Sequence, residues 1–371
     1  MVVTKEKDPV ALQSSEGLSH DVLLHDYDTK SSSKCQSDDV PKWTQTDSEL
    51  LNRFVPKKAA SILLSDSYKR LGRISRSERV SDCGSFLDFA YTIDENGSIS
   101  ETGKLHSANF CRDRLCPMCS WRRSLKIFGQ VSHIMDCIGS NYKFLFLTLT
   151  VPNCTAQELP ETLDRLMVAF KKLMHYKPVK IVQGFFRALE ITRNKKTGTY
   201  HPHFHVILAV PLSYGGKYYI KRDDWLHMWQ KAYKDPSITQ VDIRVLKDKD
   251  GNRIEGEFTQ AMKAAVAEVA KYPLKSSEYL IASDPELTDD TVKTLSDSLY
   301  HRRLVSYSGC FKDVFDNLAL DDPEEGDLIH LDDSINESLS MLIVRYGWSC
   351  GVYKITGSHI EMSSKEAALF E

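Results

Sequence analysis

One short stretch, residues 200–208, constrains the fold of this chain more than any other. It contains no glycine, and its apolar residues alternate in the way that predicts a β-strand. Side chains of a strand alternate between two faces, so His201, His203 and His205 point the same way. Two imidazoles one pleat repeat apart can hold a single metal ion. Because three of the chain's twelve histidines share one face, we favour a metal site over a strand edge with solvated rings.

The length and composition of the chain limit its class. Its 371 residues are enough for a large core and two or three domains. No apolar run is long enough to cross a membrane and no secretory signal opens the sequence, so we expect a soluble, cytoplasmic protein with no membrane partner. Nine cysteines in such a compartment favour metal ligands or free thiols over disulfides.

Residues 1–55 form an acidic N-terminal segment. Over residues 1–50 there are five lysines against ten Asp and Glu residues, a local balance of −5. Because the segment has few aromatic residues and no periodicity, we expect it to be disordered or loosely ordered.

Three cysteines within nine residues form a second candidate metal site. Cys111, Cys116 and Cys119 lie in one turn-rich segment, as a tetrahedral zinc site requires. The fourth ligand must come from elsewhere in the chain; Cys83 is preferred, and His106 is the alternative. Unrelated buried thiols are the competing interpretation, but this density of cysteines favours a structural Zn²⁺.

Basic residues surround these cysteines. The segment from Cys111 to Lys126 carries several cations and a single acidic residue, Asp113. A zinc module with a basic surface is a plausible binder of the DNA backbone, and the alternative is an ordinary solvated face. The candidate DNA-binding residues are Arg112, Arg114, Arg122 and Arg123.

Two further strands are predicted next to the histidine strand. Residues 143–151 alternate as a strand, and residues 181–192 form another that a turn joins to the histidine strand as an antiparallel hairpin. Glu190 lies near that turn and is placed to face His203 or His205. A carboxylate beside two imidazoles would make a Mg²⁺ or Mn²⁺ site with open positions, whereas the alternative is an exposed strand glutamate.

Residues 258–271 form a strongly helical segment. The residue before a proline is pushed out of helical geometry, so the helix is expected to stop near Tyr272, which precedes Pro273. Glu268 and Tyr272 are four residues apart and share one helical face. A phosphoryl-transfer site needs one group that attacks and another that handles protons, although such pairs are also common on solvated helices.

Taken in order, these motifs resemble the HUH-type rolling-circle replication initiators of small Gram-positive plasmids, specifically the group with one catalytic tyrosine and a nearby glutamate. The matching pieces are residues 146–150, residues 201–205, and residues 268–272 with Lys275. The cysteine block and residues 302–309 also look like this family, and the resemblance runs from about residue 83 to 322. Ser308 departs from it, because paired glycines are expected at 308–309.

The resemblance implies an α+β fold, in which a central antiparallel sheet of about five strands has flanking helices and follows a small zinc-binding module. In that architecture the strand of the first motif and the histidine strand are neighbours. We therefore divide the rest of the chain into a cysteine-rich basic module at 56–135, a nicking and joining catalytic domain at 136–320, and a C-terminal segment of unknown role at 321–371.

The resemblance also implies a mechanism. His203 and His205, with Glu190, hold Mg²⁺ or Mn²⁺, which polarises an oxygen of the scissile phosphate. Tyr272 attacks phosphorus and leaves a 5′-phosphotyrosyl enzyme with a free 3′-hydroxyl. Glu268 then activates water at termination.

Two residues are expected to support this chemistry. A phenol with a pKa of about 10 is a weak nucleophile at neutral pH, so Lys275 is expected to help Tyr272. His201 is expected to orient the metal ligands.

The implied partners are plasmid origin DNA, both double-stranded and as an extruded single strand, a host polymerase and a host helicase, with a homodimer as a possible state. A helicase is required because the chain has no phosphate-binding GxxxxGK[ST] motif of its own. The closest alternative is a conjugative relaxase or a single-tyrosine transposase. A hydrolase of the HxHxDH type lacks its Asp and His after His205, and a non-catalytic zinc-dependent DNA-binding regulator would leave the histidine strand unused.

Overall fold

The β-strands of the described residues form two antiparallel sheets. The computed structural model describes residues 44–246, 260–271, 275–331 and 340–362. Tyr272 and most of the predicted acidic segment lie outside these ranges. The strands are β1 (Phe86–Thr92), β2 (Lys104–Ala108), β3 (Tyr142–Thr150), β4 (Gly184–Arg193), β5 (Tyr200–Pro211), β6 (Val241–Val245), β7 (Val305–Gly309), β8 (Met341–Ser349) and β9 (Val352–Glu361).

Helices pack around both sheets. In the described ranges, none of them is long and apolar enough to cross a membrane. Short 3-10 turns cover Lys177–Ile181 and Gly216–Tyr218. The helices are α1 (Thr44–Arg70), α2 (Ile74–Asp82), α3 (Pro117–Ile138), α4 (Leu159–Met174), α5 (Arg222–Tyr233), α6 (Gln260–Val269), α7 (Ser276–Tyr279), α8 (Pro285–Ser298) and α9 (Cys310–Asn317).

The larger sheet has the histidine strand at its centre. Its strand order is β6-β3-β5-β4-β7, and β5 pairs antiparallel with β3 on one side and β4 on the other. The β4–β5 pair is the predicted hairpin, and β3 is the predicted neighbour from the first motif. The α+β fold with a central antiparallel sheet of about five strands is therefore confirmed.

The two faces of this sheet differ in chemistry. Directly paired residues project to the same side, so Thr148 of β3 shares a face with His205, and Glu190 of β4 shares it with His203. The opposite face is mostly apolar, with Arg187 as a buried cation on it, and α4 packs on this face through Leu163 and other buried leucines. Alternation along each strand thus separates a polar site from the core.

A second sheet, which the sequence analysis did not anticipate, has the order β2-β1-β8-β9. Strand β1 pairs with β8 from Phe86↔Gly347 to Thr92↔Met341. Its two last strands come from the segment after residue 320, to which we assigned no role. The proposed boundaries at 56, 136 and 321 stay predictions, but the tail contributes half of this sheet.

Helix α1 overlaps the end of the segment that we expect to be loosely ordered. The helix begins at Thr44, so residues 44–55 are helical. Phe54 is buried, with its ring centroid 4.9 Å from that of Trp121 and 5.9 Å from that of Phe89. The acidic composition of the segment gave no indication that Phe54 is buried in the core.

Two of the four predicted DNA-binding arginines are buried, which corrects their assignment. Arg122 donates from Nε to the Leu328 carbonyl and from Nη2 to the Ile329 carbonyl, both at 2.8 Å. Arg123 is 1% exposed and donates from Nε to the Glu324 carbonyl at 2.9 Å. Both guanidinium groups thus satisfy backbone carbonyls of the segment after β7, and they are not available to phosphates.

The other two arginines remain nearer the surface. Arg114 is half-buried and donates from Nη1 to the Leu299 carbonyl at 2.8 Å. Arg112 is exposed. A role in DNA binding therefore stays open for Arg112 above all.

Candidate metal centres

Three buried side chains on β4 and β5 form one candidate centre, which we call the carboxylate–histidine cluster: Glu190, His203 and His205. Glu190 Oε2 lies 2.9 Å from Nε2 of His205 and 3.4 Å from Nε2 of His203. The register of the hairpin brings these three side chains together, because Glu190 and His203 are directly paired and His205 is one pleat further on. The structure thus brings together all three predicted ligands.

Both imidazoles are held by their other ring nitrogen. Nδ1 of His203 lies 3.1 Å from the His201 carbonyl oxygen, and Nδ1 of His205 lies 3.2 Å from Oγ1 of Thr148. With Nδ1 protonated and donating to these acceptors, each Nε2 is the nitrogen directed at Glu190, and it would give its lone pair to a metal ion in place of its hydrogen bond to that carboxylate. This is the donor arrangement that a metal ion requires. Sequence analysis missed Thr148, although its place opposite His205 was available once β3 and β5 were paired.

The charge of the cluster also suits a cation. Burial alone would raise the pKa of Glu190, but hydrogen bonds with His203 and His205, and their charges, outweigh it and hold that pKa well below its usual range. Burial lowers the pKa of His201, and the charge of His203 lowers it further. Glu190 is therefore a carboxylate at neutral pH.

Glu268 of α6 lies over the open side of this cluster. Its Oε1 is 3.6 Å from Nε2 of His205, and its Oε2 accepts a hydrogen bond from Nζ of Lys271. The Glu268 side chain is 38% exposed, so it lies where solvent reaches the centre. Its predicted partner, Tyr272, follows Lys271 in the chain and lies outside the described residues.

Two other predicted site residues, Lys275 and His201, are not among the three candidate metal ligands. Lys275 is exposed and immediately precedes α7, and no ion pair joins it to the cluster among the described residues. His201 stacks beside His203, with ring centroids 5.2 Å apart. Its backbone carbonyl, rather than its imidazole, bonds to His203.

A second candidate centre is the four-cysteine cluster: Cys83, Cys111, Cys116 and Cys119. Cys83 Sγ lies 3.6 Å from the sulfurs of both Cys116 and Cys119, and Cys111 Sγ lies 3.7 Å from Cys119 Sγ. Four thiolates around one Zn²⁺ would stand about 3.8 Å apart, because Zn–S bonds are about 2.3 Å and tetrahedral. Cys83 thus completes the group. The alternative ligand, His106, lies instead with its Nε2 3.7 Å from a Glu361 carboxylate oxygen.

Backbone and side-chain donors surround the sulfurs. The backbone N–H groups of Cys111 and Arg112 point at the sulfurs of Cys83 (3.4 Å) and Cys119 (3.2 Å). Burial would raise the pKa of the Cys116 thiol, but hydrogen bonds from the other three cysteines and Ser61 lower it instead. Hydrogen bonds with the other cysteines instead raise the pKa of Cys83 and of Cys119, so the thiolate, which is the form that binds metal, is favoured at Cys116 in particular.

Lys58 is a residue of this centre that sequence analysis missed. It is 1% exposed, and its Nζ donates to the carbonyls of Ser81 at 2.6 Å and Cys83 at 2.8 Å. Burial lowers its pKa, while the charges of Cys83 and Cys116 raise it. A buried ammonium beside four thiols offsets the net negative charge that a four-thiolate zinc site carries.

Comparisons with known proteins agree with the motifs. Residues 102–351 match the family model described as "Replication protein". The chain is 40% identical over 301 residues to a "Protein rep" of Bacillus amyloliquefaciens, which covers 76% of this chain and 86% of that protein. It is 37% identical over 314 residues to a "Protein rep" of Streptococcus pneumoniae serotype 2 (strain D39 / NCTC 7466), covering 80% and 92%.

A third relative extends the group to lactobacilli. The "Protein rep" of Lactiplantibacillus plantarum is 38% identical over 273 residues, which is 72% of this chain and 82% of that protein. No solved structure matches the chain. The family match spans both metal centres apart from Cys83, and the relatives are matched over most of their length. The chain therefore belongs to the Replication protein family, the rolling-circle initiators of plasmid replication.

Proposed function

We propose that this replication protein starts rolling-circle replication by nicking one strand of its plasmid origin and becoming covalently joined to it. The observation that carries the proposal is the carboxylate–histidine cluster with the Glu268 carboxylate 3.6 Å from His205. The three ligands lie on one side and a solvent-accessible carboxylate lies on the other, so a phosphodiester that reaches the cluster from solvent would lie beside both.

The cluster fits a divalent cation. Glu190, His203 and His205 would hold it, and it would polarise a non-bridging oxygen of the scissile phosphate. Carboxylate ligands suit Mg²⁺ and Mn²⁺, and the two imidazoles favour Mn²⁺ of these, because Mg²⁺ prefers an all-oxygen shell.

Tyr272 is the proposed nucleophile, as the family resemblance implies. Its phenolic oxygen forms a bond to phosphorus while the bond from phosphorus to the 3′-oxygen breaks. The products are a 5′-phosphotyrosyl enzyme and a 3′-hydroxyl that a host polymerase extends. Lys275 and Lys271 are basic residues close in sequence that favour the ionised phenol.

Glu268 is the proposed base at termination. Its carboxylate lies beside His205 and is open to solvent, so it can take a proton from water that attacks the phosphotyrosine. The same carboxylate forms an ion pair with Nζ of Lys271.

The remaining parts serve origin recognition. We propose that the four-cysteine cluster holds a structural Zn²⁺, and that Arg112 on its surface contacts the DNA backbone. Strand separation is assigned to a host helicase, because the sequence has no nucleotide-binding motif of its own. Action on plasmid DNA places the protein in the cytoplasm, and a homodimer is compatible with this function.

The test is nicking of a supercoiled plasmid that carries the cognate origin. Wild type should convert it to open circles and remain attached to the DNA, whereas Tyr272→Phe should do neither and still bind the origin. Tyr279→Phe is the matched control, since Tyr279 is 1% exposed and its hydroxyl donates to the Leu115 carbonyl. Nicking by Tyr272→Phe at the wild-type rate would overturn the proposal.

A further inference from the structure

A cavity lies on the face of the large sheet that is opposite the carboxylate–histidine cluster. This α4 groove has a volume of about 420 Å³ and lies between α4 and the sheet edge formed by β4 and β7. Strand alternation puts it there, because Arg187 and Glu190 are three residues apart on β4 and so face opposite sides. The residues on which the argument depends are Met167, Phe170, Lys171, Arg187, Ser306 and Ser308.

Arg187 is the unusual member of this lining. It is only 6% exposed, and its guanidinium carbon lies 4.4 Å from the ring centroid of Phe204 and 5.5 Å from that of Phe170. Burial lowers its pKa to about 10, which still leaves it charged at neutral pH, and the charge of Glu324 opposes that shift. A protein interior rarely holds a guanidinium in this state unless it is paired.

The guanidinium of Arg187 has few good hydrogen-bond acceptors around it. Its Nε has no hydrogen-bond partner, and its Nη1 lies 2.7 Å from Sδ of Met167, a weak acceptor. Among the described residues no carboxylate forms an ion pair with it. A buried guanidinium that no carboxylate contacts directly, beside an open cavity, is the arrangement expected of an anion-binding site.

Other donors line the same cavity. The side chains of Ser306 and Ser308 lie directly across the ladder from Arg187 and Phe185, so they project to the same face. Lys171 is exposed on α4 at the mouth of the groove. Ser308 is also the residue that departs from the paired glycines expected there, and it adds a hydroxyl to the lining.

His175 and Gln183 also line the cavity, and the remaining lining is apolar. Met167, Phe170, Met174 and Val182 form one wall. An inorganic ion would leave this wall unused, whereas a ligand with both an anionic and a flat apolar part would cover it.

We propose that the α4 groove binds an organic phosphate, with the phosphate on Arg187 and Lys171 and the attached base or sugar against Phe170. A planar guanidinium pairs with two phosphate oxygens at once, which a lysine cannot do. The phosphate comes either from a free nucleotide or from a nucleotide of single-stranded DNA, and the two sources share this chemistry.

The test measures binding to the full-length protein by calorimetry, independently of nicking. The probes are inorganic phosphate, adenosine 5′-monophosphate and a 5′-phosphorylated trinucleotide. Adenosine monophosphate or the trinucleotide should bind at least about tenfold more tightly than inorganic phosphate, because only they cover the apolar wall. The tighter of these two identifies the source of the phosphate.

Variants then locate the site. Arg187→Met should weaken binding by roughly tenfold or more, and Arg187→Lys should recover only part of it. Lys171→Gln should weaken it a few-fold, while Lys172→Gln is the matched control, because Lys172 neighbours it on α4 but is not among the lining residues. Circular dichroism checks folding, and if Arg187→Met is unfolded, the pair Lys171→Gln and Ser308→Gly decides.

Three outcomes would overturn the proposal: no binding of either organic phosphate, binding no tighter than that of inorganic phosphate, or equal binding by wild type and the folded groove variants. Since nicking is not measured, failure here leaves the proposed function standing. Nicking by Tyr272→Phe at the wild-type rate, which would overturn the proposed function, would likewise leave this proposal unaffected.

Discussion

The two metal centres of this protein are built in opposite ways. The four-cysteine cluster has four ligands that surround one point, and backbone N–H groups cover its sulfurs. The carboxylate–histidine cluster has three ligands, all on one sheet face, with the half-exposed Glu268 above them. A closed set of four is typical of structural sites, and an open set of three is typical of catalytic ones.

The centres also differ in what holds their ligands in place. Cys83 ends α2, Cys111 follows β2, and Cys116 and Cys119 begin α3, so the four ligands come from separate elements. Glu190, in contrast, faces its histidines through a hairpin ladder that hydrogen bonds fix without any metal. We therefore expect loss of metal to unfold the region around the four-cysteine cluster. At the carboxylate–histidine cluster, loss of metal should abolish activity and leave the fold intact.

The largest expected effect is from Cys119→Ser. It should remove the bound zinc and unfold the module, because structural zinc contributes about 10 kcal/mol or more, comparable to the roughly 5–15 kcal/mol that stabilises a whole domain. Metal analysis and thermal unfolding followed by circular dichroism measure this. Cys137→Ser is the control, since Cys137 is exposed on the same helix. A wild-type protein without stoichiometric zinc would refute the assignment of the cluster.

The next effect is from His203→Ala, and it sharpens the contrast. Nicking should fall by about a thousandfold, because several kcal/mol of metal-assisted stabilisation are lost, while the melting temperature changes little. The exposed His227 provides the control variant His227→Ala. Dialysis of wild type against a mild chelator should act in the same way, and Mn²⁺ should restore nicking. A collapse of the fold in His203→Ala would mean that both centres are structural.

The sequence predicts a region of the fold well when the residues that contact one another there are close together in the chain. The β4–β5 hairpin and the place of Glu190 opposite His203 depend on neighbouring segments and on alternation, which the sequence displays directly. The cysteine ligands were predictable because thiols cluster rarely, and the choice of Cys83 over His106 needed the coordinates.

Long-range pairing was not predictable in this way. Strand β1 pairs with β8, so Phe86 meets Gly347 across most of the chain, and no local pattern specifies that. The same is true of Arg123, which reads as a surface cation in sequence but reaches the Glu324 carbonyl in the fold. A basic residue can bind a phosphate or a carbonyl oxygen, and only burial distinguishes the two.

The third prediction concerns the open side of the catalytic centre. Glu268→Gln keeps the size of the side chain but removes the base, so initiation should continue while hydrolytic termination slows by about a hundredfold or more. The product distribution on a plasmid with two tandem origins measures this: single-length circles for wild type, over-length or covalently trapped strands for the variant.

A matched variant separates the charge of Glu268 from its ion pair. Lys271→Gln removes the partner of the carboxylate but leaves the base, so termination should be affected much less. If Glu268→Gln terminates as cleanly as wild type, the base lies elsewhere and the open side has no catalytic carboxylate.

The smallest predicted effect distinguishes the two histidine ligands from each other. His205 is oriented through the side chain of Thr148, whereas His203 is oriented through the backbone carbonyl of residue 201, which every amino acid supplies. Thr148→Val should therefore weaken metal binding by about 10- to 100-fold, the usual cost of losing such a support, and His201→Ala by much less. Titration of each folded variant with Mn²⁺, followed by calorimetry, gives both affinities. If His201→Ala loses as much affinity as Thr148→Val, the imidazole of His201 supports the centre directly, and the backbone carbonyl alone is not enough to hold His203.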